Sequence, residues 1–422
     1  MREAAEQHRV SLAAQRFLVR EFEDEGLPSP TLAAHRMKEL GAKLKGVISL
    51  SAGGQIARLS PPVVLDAARK AIEDGVVHTA SATGLKEFRQ AVAAKLQRDN
   101  GFVVDPDTEV LATIGCQLPI FGTLLTLIDP GDEVLIMEPE YASIAPVIRM
   151  VGGAPVSVPY EEGLDEWRFH ARELERRVTA KSKLFMFSNG GNPTGVLFTR
   201  EELQAIARIV QDHDLLVFAD EEYEYITFDG ASHVSIASLP GMAERTISAY
   251  SFSKTFSMSG FRIGYMAASA WIIDYMSDVI RFAIQSCPAI SQKAALPLLQ
   301  NPRGPWLDET LRELRDKRDY AVDRLNRMPG VKCPTPRGCY FLLPDIRALG
   351  LSSLEFAERL LTEERVSVIP GITFGRLGEG HVRVSACVGW DGLREGLDRF
   401  ERFVRATATA QASAARSVSQ GA

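Results

Sequence analysis

Short apolar runs alternate with helical patterns from Pro61 to about Gln300, and this alternation leaves the chain few architectures. The runs of strand length are 109–113, 133–138, 183–188, 215–220, 246–251 and 263–269. Between them lie segments with helical spacing, among them 85–98, 200–212 and 271–285. A strand that is apolar throughout must be covered on both faces, so these strands belong inside a mainly parallel sheet with helices on either side. The sequence therefore predicts an α/β protein whose large, doubly wound domain spans residues 61–300.

Beyond Asn301-Pro302-Arg303-Gly304-Pro305 a charged helical pattern runs to about Met328, followed by short strands at 339–343, 366–369 and 381–385. Helical patterns at 352–364 and about 390–405 accompany them, which predicts a smaller α+β domain formed by residues 31–60 and 301–405. Residues 1–30 read as an N-terminal arm, polar and helix-prone up to the breaker Gly26-Leu27-Pro28-Ser29-Pro30. Residues 406–422, rich in Ala, Ser, Thr and Gln without apolar periodicity, are expected to be a disordered tail.

Charge and composition exclude several function classes. Lys+Arg 48 against Asp+Glu 54 leaves a net charge of -6, which exerts no long-range pull on nucleic acid or anionic membrane. No apolar run approaches the ~20 residues that cross a bilayer, and Met1-Arg2-Glu3 opens no signal peptide. A cytoplasmic protein with small-molecule partners is expected. Five scattered cysteines without C-x-x-C fit reduced thiols, and seven histidines without H-x-x-x-H argue against a zinc site.

The densest chemical signal is Ser251-Phe252-Ser253-Lys254-Thr255-Phe256-Ser257-Met258-Ser259-Gly260-Phe261-Arg262-Ile263-Gly264, set between two predicted strands. Hydroxyls, a lysine and an arginine this close make a phosphate cup beside an amine nucleophile. The same segment contains S-x-x-K, the mark of a serine nucleophile in penicillin-recognising enzymes, but the S-D-N and K-T-G partners of that motif do not occur. Two more segments stand at predicted carboxyl ends of strands, where open sheets bind ligands: Ser188-Asn189-Gly190-Gly191-Asn192-Pro193-Thr194-Gly195 and Ala219-Asp220-Glu221-Glu222-Tyr223.

N-P-T-G, then D-x-x-Y, then S-x-S-K and R-x-G in this order resemble the fold type I, class I/II aminotransferases that use pyridoxal 5'-phosphate, over about residues 30–405. The resemblance implies that Lys254 forms a Schiff base with the cofactor aldehyde and, once freed by an amino acid, shuttles the Cα proton. It implies that Asp220 keeps the pyridine nitrogen protonated and that Tyr223 and Asn192 donate to the phenolate oxygen. Thr113-Ile114-Gly115-Cys116-Gln117 resembles the phosphate-binding turn, with Gly115, Cys116 and Gln117 offering backbone amides at a helix start. Ser251, Ser253 and Arg262 match the side-chain phosphate ligands. Tyr141 matches the aromatic residue stacked on the ring. Arg383, in His381-Val382-Arg383-Val384-Ser385, matches the arginine that grips the substrate carboxylate bidentately.

The chain also departs from the family pattern. His78 stands where a tyrosine often reaches the phosphate from the neighbouring subunit, and an imidazole there can donate to phosphate or act as an acid or base. The substrate loop reads Ser51-Ala52-Gly53-Gly54-Gln55, where Gly53 and Gly54 keep backbone room for substrate but the usual acidic residue and proline are missing. The resemblance thus implies a homodimer with shared sites that exchanges an amino group between an α-amino acid and a 2-oxo acid. The altered loop leaves open β/γ-elimination, replacement or oxidation on the same cofactor. A transcriptional regulator with an aminotransferase-like domain would need a longer basic N-terminal module than the predicted arm.

Overall fold

A computed structural model describes residues 30–420 of the chain, apart from 52, 54, 55, 57 and 164. Residues 1–29 of the predicted arm lie outside the described residues. The main sheet consists of β1 (Val110–Thr113), β2 (Glu133–Glu138), β3 (Ala154–Pro159), β4 (Ser182–Ser188), β5 (Leu216–Asp220), β6 (Thr246–Ser251) and β7 (Gly264–Ala267). Their spatial order is β1-β7-β6-β5-β4-β2-β3, with β7 antiparallel to both neighbours and the other pairings parallel.

The strand periodicity explains the two layers of helices. Along β2 and β4, Leu135, Met137, Phe185 and Phe187 enter one core, whereas Val134, Ile136, Leu184 and Met186 enter the other. Helices α3 (Gln117–Leu127) and α5 (Ala270–Ile284) cover the second face, α4 (Arg200–Asp212) covers the first with Leu203, Ile206 and Val210, and α2 (Lys86–Lys95) packs Phe88 and Val92 against β1. A capping box starts α4: the Thr199 side chain accepts from the Glu202 amide and the Glu202 carboxylate accepts from the Thr199 amide. Such a cap contributes about 1 kcal/mol to the helix.

Strand β3 was not expected from the sequence. Pro155 and Pro159 interrupt its pattern, yet proline is tolerated on an edge strand, and β3 is the edge beside β2. A second core gathers Met37 and Leu50 with apolar residues from Ala321 to Val404. It is framed by α1 (Pro30–Lys43), α6 (Pro305–Asn326), α7 (Ser353–Glu364) and α8 (Trp390–Gln420). Strands β8 (Phe341–Leu342), β9 (Ile369–Pro370) and β10 (Val382–Ser385) form its antiparallel sheet in the order β8-β10-β9.

The last helix corrects one expectation. Residues 406–420 are not an irregular tail but the continuation of α8, with Thr407 buried and the Gln411 amide donating to the Leu349 carbonyl. Alanine is the best helix former, so an Ala-rich segment extends a helix without an apolar stripe of its own.

Candidate active site

Strand register brings the predicted residues to one edge of the sheet. Gly264 is the partner of both Thr113 and Ser251, and Asp220 is the partner of Ser188. Because β7 runs antiparallel, its start lies level with the carboxyl ends of its neighbours. A side chain on Gly264 would meet the Tyr250 carbonyl oxygen at 2.4 Å and Gly115 Cα at 3.0 Å, so only glycine allows this close approach.

The turns beyond these ends enclose a cavity of about 420 Å³. Of the residues singled out in the sequence, Gly53, Gly115, Cys116, Gln117, Tyr141, Asn192, Asp220, Tyr223, Ser253, Lys254, Arg262 and Arg383 line it. Ser251 lies just behind, its Oγ 2.9 Å from Ser253 Oγ. His78 is exposed and lies apart from this cavity, and Gly54 is outside the described residues.

At one end, α3 begins at Gln117 with Cys116 as its N-cap, so the first amides of the helix face the cavity without intrahelical acceptors. Gly115 adopts the left-handed conformation, φ 79°. Arg262 does so too, at φ 51° and ψ 57°, a local strain of about 1–2 kcal/mol for a non-glycine residue. That backbone directs its guanidinium back to the turn, with Nη2 donating to the Ile114 carbonyl at 2.6 Å and Nη1 to that of Ser259 at 3.0 Å.

On the floor, Asp220 is buried, and the Glu222 amide donates to its Oδ1 at 3.1 Å. Burial raises the Asp220 carboxyl above its usual range, and the neighbouring Glu222 carboxyl raises it further. Glu222 is raised as well, first by burial, while the Lys254 charge opposes the shift. Tyr223 is buried edge-on against Tyr340 and Phe341, its phenol raised by burial.

The Lys254 ammonium donates to the Gly53 carbonyl at 2.7 Å. Across from it, Arg383 Nη1 donates to Asn192 Oδ1 at 2.8 Å and Nη2 to the Ser51 carbonyl at 3.0 Å. Its guanidinium lies 4.1 Å from the Phe341 ring centre and 5.1 Å from that of Phe374. Arg383 Nε is buried with no partner among the described residues, so the guanidinium keeps an unspent donor.

The model of the aminotransferase class I and II family matches residues 45–400. The chain belongs to the class I and II aminotransferases. Among its relatives, the aromatic-amino-acid aminotransferase 2 of Thermococcus litoralis is 38% identical over 88% of this chain and 95% of its own length. The aspartate aminotransferase of Pyrococcus abyssi is likewise 38% identical, over the same shares. Among solved structures, an aspartate aminotransferase mutant from Thermus thermophilus superposes with a TM-score of 0.84 at 30% identity, covering 93% of this chain and 99% of its own. The N-succinyldiaminopimelate aminotransferase from Mycobacterium tuberculosis gives 0.84 at 31%, covering 93% and 100%.

This aminotransferase therefore uses pyridoxal phosphate and moves an amino group between an amino acid and a 2-oxo acid. Its cavity fits the cofactor on its own chemistry. Free helix amides, two serines and an arginine converge at one end, as a phosphate dianion requires, and a buried acid lies on the floor for a ring nitrogen. A lysine amine shares the same space.

Sequence reasoning missed three acidic residues here. Glu138 Oε1 accepts from the Leu377 amide at 2.9 Å, and the Glu140 amide donates to the Phe374 carbonyl at 3.1 Å, which ties the 371–378 segment over Tyr141. Burial pushes the Glu140 carboxyl up to about 8. Glu222 lines the cavity itself. Its signal was present in the segment Asp220-Glu221-Glu222-Tyr223, since it lies two positions after an acid already assigned to the cofactor.

Proposed function

We propose that Lys254 links to the cofactor aldehyde and then moves the substrate's Cα proton, while Asp220, Tyr223 and Asn192 hold the ring and Arg383 receives the substrate carboxylate. The convergence of Lys254, Asp220 and Arg383 on one cavity carries this reading. Pyridoxal phosphate, when bound, supplies an aldehyde that condenses with amines and a protonated ring that accepts the electron pair left at Cα. The chain's own residues do the rest. Gly115, Cys116, Gln117, Ser251, Ser253 and Arg262 anchor the phosphate, and Tyr141 covers one ring face. Asp220 holds the proton on the ring nitrogen, and Tyr223 and Asn192 donate to the ring oxygen. The rings of Phe341 and Phe374 keep water from the Arg383 guanidinium and so strengthen its attraction for a carboxylate.

Arg383→Lys tests the substrate end. A lysine cannot reproduce two parallel N–H donors, so KM for the amino acid and the oxo acid should rise together. Loss of about 2–4 kcal/mol of transition-state binding should lower kcat/KM roughly 30- to 1000-fold, measured by steady-state kinetics in both directions. Cofactor absorbance should stay as in the native enzyme. Loss of cofactor, with carboxylate-free amines reacting as well as amino acids, would remove Arg383 from the substrate site.

The working unit we propose is a homodimer, in which His78 of each chain reaches the phosphate site of the other. Trp271, Tyr275 and Phe282 form one stripe along α5, and Phe282 is 84% exposed. Val77, next to His78, is 71% exposed. In a two-fold interface each residue counts twice, and burying one phenylalanine contributes about 1.5–3 kcal/mol. Phe282→Asp should therefore weaken the dimer at least ~100-fold, seen by sedimentation, and activity should fall as monomer appears. A variant that stays fully dimeric would move the interface elsewhere. All five cysteines are buried free thiols, which supports a reducing, cytoplasmic setting.

A further inference from the structure

Glu222 has no part in the chemistry described above, yet it stands among the groups that perform it. It lines the same cavity as Lys254, Asp220 and Arg262, and its amide, bonded to Asp220 Oδ1 at 3.1 Å, fixes it in the turn between Asp220 and Tyr223. Its carboxyl faces the charges of Lys254 and Arg262, which line the same cavity. The other titratable groups around it are Asp220 and Tyr223 on its own turn, Cys116 at the head of α3, and Tyr340 from the segment before β8.

Most of these neighbours are committed elsewhere. Asp220 is assigned to the ring nitrogen, and Arg262 serves the phosphate while donating to two backbone carbonyls. The hydrogen bond from Lys254 goes to the Gly53 carbonyl, a neutral acceptor. An ionised Glu222 therefore adds a negative charge facing Lys254 beyond those of Asp220 and the ring oxygen. Tyr223 and Asn192, by donating to the ring oxygen, make the nitrogen of the lysine linkage a weaker base. An anion on the same floor acts in the opposite direction.

We infer that Glu222 is a positioning residue for a proton: its carboxylate keeps the cofactor-linked Lys254 Nζ protonated to higher pH than Tyr223 and Asn192 alone would allow. The inference rests on Lys254 as the linking lysine, as proposed above. Its functional consequence is reach in pH. An incoming amine attacks the protonated linkage, so the carboxylate extends the working range of the enzyme upward.

The test is a pH titration of the visible absorbance of holoenzyme for the native protein, Glu222→Gln and Glu222→Asp, with borohydride trapping and peptide mass mapping of each. The amide keeps the shape and removes the charge, so the midpoint should fall by about 1 unit or more in Glu222→Gln. Glu222→Asp, which keeps the charge at greater distance, should lie between. A purely structural role would loosen the cofactor without moving the midpoint. If Glu222→Gln does not retain cofactor, Glu222→Asp decides: a lowered midpoint supports the inference and a native one overturns it. An adduct on Lys254 with the same midpoint in all three proteins overturns this inference alone. An adduct on another lysine overturns it together with the assignment of Lys254.

Discussion

Lys254→Ala should hold pyridoxal phosphate only loosely and lose at least ~10³-fold in turnover. Two separate contributions disappear with one amine. The first is the covalent link, which makes the cofactor's dissociation depend on breaking a bond rather than only on its phosphate contacts. The second is proton transfer at Cα, where a positioned base contributes ~10²- to 10⁴-fold. The Lys254 nitrogen donates to the Gly53 carbonyl, in the loop proposed to face the substrate, which would place it where an amino acid enters. The measurements are single-turnover rates with saturating cofactor and the yield of borohydride adduct. Native adduct on Lys254 together with near-native turnover of the alanine variant would leave the lysine a tether and assign the proton to another base.

Why these residues were legible in the sequence follows from sheet geometry. Lys254, Asp220 and Asn192 each lie within a few residues of the end of an apolar run, and the parallel strands of one sheet place those ends at one edge. Order along the chain thus became proximity in space without knowledge of a single contact. Arg383 was legible for a different reason, being a charge between two valines in the middle of a predicted strand. What escaped notice depends on contacts that no periodicity encodes. The left-handed backbone at Arg262 sits at a residue type that rarely adopts it, so nothing at that position announces the geometry that returns its guanidinium to Ile114. Glu138 reads as the polar finish of a strand, and its task of holding the 371–378 segment is set by a stretch of chain more than two hundred residues away. Glu222 was hidden by the motif itself, because D-x-x-Y reads only its two ends.

Asp220→Ala should reduce turnover about 10³-fold while leaving amino-acid binding nearly intact. The carboxylate's proposed work is electronic: a protonated ring nitrogen draws the electron pair away from Cα, and a neutral one does not. An aligned charge in a dry site contributes ~10²- to 10³-fold, and 10³ corresponds to about 4 kcal/mol. Substrate should still displace Lys254 and change the absorbance at near-native concentrations, because Arg383 and the phosphate cup are untouched. The slow event should then be loss of the Cα proton, visible as a primary isotope effect with Cα-deuterated substrate. Folding and electronics separate by melting the protein without cofactor. There the buried Asp220 carboxyl is raised by its burial and by the neighbouring Glu222, so removing it relieves that cost, and the variant should melt no lower than the native chain. With cofactor added, native enzyme should gain stability as RT ln(1 + [L]/Kd), and the variant should gain less because its ring contact is gone. A variant with near-normal turnover and native cofactor stabilisation would place the pyridine nitrogen against some other residue and require the cofactor to be turned in its cavity.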